Sequence, residues 1–508
     1  MSILLLALLV ACDAADQRER RAGNADELAK ARSLAAPESA CQVLRKVAVP
    51  ERGSLVVIVS DAMRRDAPGI YGGAAHTPHF DAFARQHLRF TRAVSQAPWT
   101  KPSVASLLTS TYPSQHGVSD HPAWRSSATR TWTEADILSD DFVTLAELLQ
   151  GSGMRTAAFV ANPWMGKRFG FAQGFREYDD SFADFDASGA SVSEAAAEWL
   201  EGIESHERFF LYLHYIDAHA PYGGMDEDVL SAAREQIEAD VRPIGEKHRR
   251  FVDNLWLTPD RRIGESDIRR SPTLVQMSYQ RGVENFDTAL GTFLAALGDH
   301  VLDHETAVFV TSDHGEALFE MGFGNHNISL RESEIAIPLV ARLPGVEPER
   351  AVVDCLVGLV DVMPTICDYF DLACPEQVSG YSVLAPDAGV PPSNDRYMVA
   401  EGLGGSPKRR TIQNRRFKLV GRADPGDARN NVVPRTRLFA LYDLLADPTE
   451  ETNLIAEGAS SPEADAVAGV MGEALLGSVG AAPDVTRGRA RLDERTRERL
   501  KAIGYLQD

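Results

Sequence analysis

The chain is short of positive charge: 52 Lys and Arg stand against 73 Asp and Glu in 508 residues, a formal net charge of −21. A general nucleic-acid binder is thereby excluded, because a phosphate backbone would be repelled unless basic residues were gathered into a stripe. The basic clusters Lys247-His248-Arg249-Arg250 and Lys408-Arg409-Arg410 are short and read as solvated faces. Long apolar runs are missing too. The eight residues from Ile3 to Val10 cannot span a bilayer and suffice only for the core of a signal peptide. No repeat of solenoid period is visible. Cysteine is sparse, with five in all, so the fold does not depend on a disulfide framework. An exported chain could pair Cys367 or Cys355 with Cys374, yet a protein of this size needs no staple. Cys367 lies in the apolar helical pattern Pro364 to Phe370, which predicts a buried free thiol.

What is present describes an ordinary globular protein, 44% hydrophobic and 25% charged, long enough for one large domain and a smaller one. Leu9-Val10-Ala11-Cys12 resembles a bacterial lipoprotein processing box with Cys12 as the lipidated residue, and Asp13 after it resembles a signal for retention on the inner membrane, facing the periplasm. On that reading residues 1–12 are a signal segment and 13–50 a tether, mobile or loosely helical. Several short apolar runs then end in polar residues, as strands of a buried parallel sheet do. They are Leu55 to Val59 before Ser60-Asp61, Phe209 to Leu213 before His214 and Asp217-Ala218-His219, and Ala307 to Thr311 before Ser312-Asp313-His314-Gly315-Glu316. Thr156 to Val160 and Ile337 to Ala341 read as further strands. Helical patterns over Phe142–Gln150, Ser191–Ile203 and Val283–Leu297 supply the crossovers. The class is α/β, a large mostly parallel mixed sheet flanked by helices, over residues 51–387. From 388 to 455 short turn-separated strands predict a small antiparallel subdomain. Residues 456–508 read as a tail, partly helical, with Ile455 to Val485 as loop or loose helix.

In open α/β sheets ligands bind outside the carboxyl ends of the strands, so carboxylates and imidazoles distant in sequence can meet there. Thr100 lies where a loop runs into a helix, with Pro102 preset for the first turn, and its hydroxyl faces the positive end of the helix dipole. Such a hydroxyl suits attack on an anionic centre. Asp61, Asp313 and His314 are a ligand set for a divalent cation, against which the threonine oxygen would lose its proton more easily. Taken singly, each has a plainer role: a cap for Thr100, a turn for Asp61, one histidine among 13 for His314. Together at strand ends they make a site.

From Ser54 to Leu454 the chain resembles the sulfatase family of the alkaline phosphatase superfamily. The resemblance is carried by Val59-Ser60-Asp61-Ala62-Met63-Arg64-Arg65-Asp66, by Thr77-Pro78-His79-Phe80-Asp81, by Ala97 to Thr109 and by Tyr112-Pro113-Ser114-Gln115-His116-Gly117. Further on it rests on His219-Ala220-Pro221-Tyr222, Ser312-Asp313-His314-Gly315-Glu316 with His326, Leu359 to Thr365, and Tyr442-Asp443-Leu444 to Leu454. It implies an alkaline phosphatase-like fold and a metal bound by Asp61, Asp313 and His314. It puts Thr100 at the nucleophile position, with His219 and His326 contacting the anionic group or protonating the leaving oxygen. Lys101 could hold a phosphoryl oxygen or be a solvated lysine. Asn162 stands, in Asn162-Pro163-Trp164, where many sulfatases carry the Lys and His of the sulfate pocket, and lines the pocket or makes a turn. Asp217 with His219 would contribute to a second metal, but a third ligand is not evident.

The departures matter as much as the matches. Sulfate-cleaving members convert a Cys or Ser in C/S-x-P-x-R to formylglycine, whereas this chain has Thr100 with Val104 in the arginine place, and threonine cannot become that aldehyde. A hydrated aldehyde releases sulfate by collapsing through its second hydroxyl; an unmodified alcohol has no such exit, whereas a phosphothreonine can be resolved by water or by transfer. The expectation is therefore a metal-dependent hydrolase or phosphotransferase of phosphate or phosphonate esters. Its substrate would be a small-molecule or membrane- or glycan-linked anionic ester, and its one divalent ion calcium, manganese or zinc, the imidazole favouring the latter two. The alternatives are a sulfuric ester hydrolase and, in another class, an inactive anion-binding surface protein.

Overall fold

An unbroken apolar run is satisfied only where both faces are covered, and strand β1, Ser54–Ser60, is buried along its whole length. Its side chains alternate between two cores, Leu55, Val57 and Val59 in one, Val56 and Ile58 in the other. The computed structural model describes residues 29–36, 38–39, 44–46, 49, 53–119, 134–183, 188–220, 272–298, 300, 305–320, 324–327, 329–348, 352–384, 395–402, 409–422, 438–458, 460–477 and 488–502. Beside β1 stand β2 (Leu88–Val94), β3 (Arg155–Val160), β4 (Glu177–Asp179), β5 (Phe209–Tyr215), β6 (Thr306–Ser312), β7 (Ala336–Arg342) and β8 (Val352–Gly358). They form one eight-stranded sheet in the order β8-β2-β7-β6-β1-β5-β3-β4. All run parallel except β7, which is antiparallel to β6 and β2.

Register puts the site at one edge. Ser60, the last residue of β1, is level with Tyr215 on one side and Ser312 on the other. The residues that follow, Asp61, Asp217, His219, Asp313 and His314, therefore leave the sheet together.

The two faces of the sheet are closed by helices. One is covered by α2 (Thr100–Thr109), α3 (Leu145–Gly151) and α6 (Val362–Tyr369), through Val104, Leu107, Leu108, Leu145, Leu149, Met363 and Ile366. The other is covered by α1 (Pro78–Gln86), α4 (Gly189–Glu201) and α5 (Pro272–Gly298). On α5 Val275, Tyr279, Val283, Phe286, Leu290, Phe293 and Leu297 recur every three or four residues, the stripe of a helix lying on a sheet.

Every residue of α2 is buried, and a histidine behind it helps hold it. His116 Nδ1 accepts the Val118 N–H at 3.1 Å, which leaves the proton on Nε2, 3.2 Å from Ser106 Oγ. Burial pushes its pKa from 6.5 down to about 3, against a raising contribution from the Pro102 carbonyl. A folded value below the unfolded one means that the unfolded chain takes up the proton first as pH falls. Stability from this group is whole above pH 6.5 and is lost toward pH 3, at up to about 1.4 kcal/mol per unit. His116→Gln is expected to flatten the decline in unfolding free energy between pH 7 and pH 5 relative to the parent, measured by denaturant titration; equal slopes would contradict this.

Two compact units divide the chain: Ala40–Ser393 with Ala400–Lys408 and Ala482–Asp508, and Met1–Ser39 with Asn394–Val399 and Arg409–Ala481. The small antiparallel sheet has the order β9 (Met398–Gly402), β10 (Arg409–Gln413), β11 (Phe417–Gly421), β12 (Leu438–Asp443). Helix α7 (Pro462–Gly477) packs Val467, Met471 and Leu475 against Ile412, Leu419 and Leu441. This corrects the reading of that stretch as loop or loose helix: it is a regular helix on the core of the small unit. Part of the expected tether is built in as well, since Ala31 and Ala35 are fully buried in the same core and Leu44–Lys46 pairs with Val346–Pro348.

Cys367 is not a free thiol. It forms a disulfide with Cys374, Cα to Cα 5.6 Å. The chain turns back after α6 through Asp371 at φ 54°, with the Leu372 N–H donating to the Cys367 carbonyl, and this returns Cys374 to the helix end. Cys355 is disulfide-bonded as well. Cys12, Cys41, the Pro221-Tyr222 pair and the loop from Tyr222 to Ser271 lie outside the described residues. Among the described residues no helix is long and apolar enough to cross a membrane.

Candidate active site

Asp61 follows β1 and is wholly buried, and Ala62 behind it adopts φ 60°. That left-handed turn aims the Ala62 N–H at Asp313 Oδ1, 3.1 Å away, which also accepts from the His314 N–H at 2.9 Å. Two strand ends are thereby tied through one carboxylate oxygen, leaving Asp313 Oδ2 without a hydrogen-bond partner. His314 Nδ1 donates to the Gly315 carbonyl at 2.7 Å, so Nε2 faces the carboxylates, 3.4 Å from Asp61 Oδ1 and 3.6 Å from Asp313 Oδ2. Gly315 has to be glycine, because a Cβ there would lie 2.2 Å from the Ser333 carbonyl.

Thr100 is the first residue of α2, placed by the extended Trp99 before it, and is fully buried. Its hydroxyl lies 3.4 Å from Asp61 Oδ2 and 3.4 Å from His314 Nε2. Asn162, after β3, completes this side. Its Oδ1 accepts the Trp164 N–H at 2.8 Å, which fixes the amide orientation. The amide NH2 then donates to Asp61 Oδ2 at 2.5 Å and to Thr100 Oγ1 at 3.2 Å.

The three imidazoles of His314, His326 and His219 stand in a row, with ring centroids 4.5 Å and 4.9 Å apart. His326 Nδ1 is 3.1 Å from Glu316 Oε2 and His219 Nδ1 donates to the Ala220 carbonyl at 2.6 Å. Charge is distributed accordingly. Burial alone would raise the Asp61 carboxyl, but the imidazoles of His219, His314 and His214 hold it well below the usual carboxylate range. Burial would lower His314, yet the carboxylates of Asp313 and Asp61 and the Gly315 carbonyl push it up to about 9. Burial, with His314 and His219 alongside, holds His326 well below its ordinary value, as a neutral ring.

Asp61, Asp313 and His314 are the group of side chains found, among the described residues, with ligand atoms mutually within 4.8 Å. The donor separations of 3.4–3.6 Å are long for hydrogen bonds. They fall in the range of about 3.0–4.2 Å expected of two donors each about 2.1 Å from a common ion. A buried carboxylate oxygen left unpaired, as Asp313 Oδ2 is, requires such a countercharge. Two carboxylates and an imidazole therefore fit a divalent cation.

One sequence expectation changes. Lys101 is directed into protein: its amine donates to the Asp136 carbonyl and lies 4.2 Å from the centroid of the Phe169 ring and 5.2 Å from that of Trp164. It seats α2 where an anion contact was expected. Asp217 Oδ1 accepts the Gly189 N–H at 3.0 Å, an open amide at the start of α4, while its buried Oδ2 has no hydrogen-bond partner. His214 was passed over as a site residue; it is the last residue but one of β5, with its Nε2 3.7 Å from Asp313 Oδ2. The signal was an imidazole one residue short of the end of an apolar strand that runs to the ligand-binding edge of the sheet.

Comparison with known proteins agrees with this architecture. Residues 54–372 match the sulfatase family. The chain is 23% identical over 428 residues to the ulvan-active sulfatase of Formosa agariphila, covering 80% of this chain and 78% of that one. The phosphonate monoester hydrolase of Agrobacterium radiobacter has a similar fold, with a TM-score of 0.61 and 20% identity over 84% of this chain and 95% of its own. The phosphonate monoester hydrolase of Silicibacter pomeroyi gives 0.55 and 20% over 80% and 92%. With the match running from β1 to the turn after α6 and the strand-end carboxylates and imidazole inside it, the chain belongs to the sulfatase family, ester hydrolases of the alkaline phosphatase-like superfamily.

Proposed function

We propose that this enzyme hydrolyses, or transfers the phosphoryl group of, phosphate or phosphonate esters by way of an unmodified Thr100 nucleophile, with Asp61, Asp313 and His314 holding one divalent cation. The observation that carries the reading is the Thr100 hydroxyl lying 3.4 Å from both Asp61 Oδ2 and His314 Nε2. Sulfatases and phosphonate monoester hydrolases share this fold, so fold leaves the ester open and the side chain at the nucleophile position decides. An unmodified alcohol cannot follow the aldehyde route for releasing sulfate, whereas a phosphothreonine has an exit through water.

When bound, the cation supplies the positive charge that eases loss of the Thr100 proton and offsets the anionic oxygens of the ester. Zinc or manganese suits a set that includes imidazole better than calcium does. Asn162 orients Thr100 and offers its amide to an oxygen that gains charge. Thr100 Oγ1 forms a bond to phosphorus as the ester P–O bond breaks. The proton that Thr100 loses passes to solvent, and the leaving alkoxide takes one from His219. Water then attacks the phosphothreonine, passing a proton to the neutral His326; as phosphate departs, the Thr100 oxygen regains a proton from solvent, and His326 returns its proton to the adjacent His219, whose ring centroid lies 4.9 Å away. Asn162→Ala is expected to lower kcat/KM about 10- to 100-fold; steady-state kinetics would read this, and an unchanged value would remove Asn162 from the machinery.

Export to the cell envelope is part of the proposal. The Cys367–Cys374 disulfide supports it, since such bonds persist outside the reducing cytoplasm. A lipid anchor at Cys12 would then hold the enzyme on the membrane.

Assay on p-nitrophenyl phosphate, bis-p-nitrophenyl phosphate, p-nitrophenyl phenylphosphonate and p-nitrophenyl sulfate tests the substrate class. At least one phosphorus ester is expected to exceed the sulfate in kcat/KM. A second reading, sulfuric ester hydrolysis, is favoured by the sulfatase names of the sequence relatives. Preferred turnover of sulfate that disappears in Thr100→Ala would establish it and overturn the first.

A further inference from the structure

We infer that the C-terminal segment from Gly488 to Ala502 is a clasp that positions the nucleophile, with Leu500 and Asp493 as its positioning residues; the inference rests on the Thr100 reading above. Thr100 is placed by two groups whose own supports lie outside the eight-stranded sheet. Asn162 donates to its Oγ1 and caps the single 3-10 turn Pro163–Met165. Lys101, the next residue of α2, donates to the Asp136 carbonyl and lies over the rings of Trp164 and Phe169. A lone 3-10 turn and a strand as short as Glu134–Asp136 have little stability of their own, so what packs on them decides where they stand.

The C-terminal segment packs on both. Its strand Arg489–Arg491 pairs antiparallel with Glu134–Asp136, Arg489 standing opposite Asp136, and the Gly488 carbonyl accepts the Ile137 N–H at 3.2 Å. Helix α8, Glu494–Ala502, then lies against Pro163–Met165. Leu492 and Leu500 are buried in the core that holds Trp164, Met165 and Phe169. At the helix start Asp493 Oδ1 accepts the Thr496 N–H at 2.8 Å, while its Oδ2 takes the Arg168 guanidinium at 2.5 Å. That guanidinium holds the Asp493 carboxyl well below the usual carboxylate range. Arg168 belongs to the second turn, Lys167–Phe169, and so adjoins the ring that Lys101 covers.

The cation ligands are held differently. Asp61, Asp313 and His314 follow the ends of β1 and β6, which pair with each other in the middle of the sheet. Loosening the clasp therefore displaces Thr100 and spares the ion. A displacement of about 1 Å at a reacting group can cost about a hundredfold in rate. The competing role is a tail that adds stability without steering the chemistry.

The test uses the full chain, assayed on the p-nitrophenyl ester that the parent prefers and, after chelator treatment, titrated with Zn2+ against a chromophoric competitor. Leu500→Ala is expected to lower kcat about tenfold with KM and Zn2+ affinity within about threefold of the parent, and Leu500→Met to restore kcat. A parental kcat in a Leu500→Ala protein of lowered unfolding temperature would overturn the inference, and so would a parallel fall of kcat and Zn2+ affinity. Should Leu500→Ala not fold, Arg168→Glu sets like charges at the contact and leaves the Asp493 cap bond in place. Its kcat is expected to fall at least about threefold and to recover when Asp493→Asn is added; an unchanged kcat, or a fall that Asp493→Asn does not relieve, would overturn the inference. Thr100→Ala in the same assay separates the two levels of the argument. If it turns over like the parent, the nucleophile reading fails; if it is inactive while Leu500→Ala keeps the parental kcat, only the clasp falls.

Discussion

Thr100→Ala is expected to lower kcat/KM by at least about a thousandfold, a loss of about 4 kcal/mol of transition-state stabilisation, with the fold retained. The substitution removes one oxygen from the first residue of α2, and the contacts of that oxygen go to Asp61, His314 and Asn162. Its neighbours are the Asn162 amide at 3.2 Å and, at 3.4 Å, the Asp61 carboxylate and His314, the groups proposed to serve the reaction. Thermal unfolding of the variant should therefore stay close to the parent while turnover is lost, a split that a merely structural threonine would not produce. Thr100→Ser keeps the hydroxyl and is expected to remain within about tenfold of the parent. A Thr100→Ala enzyme that turns over at the parental rate would remove the nucleophile from the account.

The second large effect is expected at Asp313. Asp313→Asn keeps the shape and the acceptor for the Ala62 and His314 N–H groups but removes the charge that faces the cation. Loss of a group that merely supports a metal ligand typically costs 10- to 100-fold in metal affinity, so loss of a ligand's charge should cost at least about a hundredfold. The parent saturated at about a hundred times its dissociation constant gains about 2.7 kcal/mol of stability from the ion. Chelation is accordingly expected to lower the unfolding temperature of the parent and to leave that of Asp313→Asn unmoved. Calorimetry with and without chelator would read the difference, and an equal response in both proteins would contradict the assignment.

Much of this was legible in the sequence because the chemistry sits where strand physics puts it. Apolar runs at Leu55–Val59, Phe209–Leu213 and Ala307–Thr311 can be buried only in a covered parallel sheet, and in-register neighbours bring their polar ends together. Other elements were hidden for physical reasons. Strand β2 reads Leu-Arg-Phe-Thr-Arg-Ala-Val, and its arginines disguise it; Arg89 reaches the Ile70 carbonyl and lies over the Tyr71 ring while its backbone pairs inside the sheet. Strand β8 is at the sheet edge, where Val352 is exposed and Asp354 takes the Thr91 hydroxyl, so its alternation is mixed. Helix α7 was obscured by its Ala and Gly, which leave the apolar stripe of Val467, Met471 and Leu475 sparse in the sequence. His214 escaped because one polar residue in Phe-Phe-Leu-Tyr-Leu-His-Tyr reads as strand, and only register reveals that it faces Asp313. Lys101 erred the other way, since a lysine beside a nucleophile suggests an anion contact and nothing in the sequence announces Phe169 and Trp164 around it.

The stereochemical course at phosphorus tests the central claim most directly. With a substrate made chiral at phosphorus by oxygen isotopes or sulfur, attack by Thr100 followed by attack of water on the phosphothreonine inverts the centre twice. The account predicts net retention of configuration. Net inversion would mean a single displacement by water, with no covalent bond to Thr100, and would contradict it.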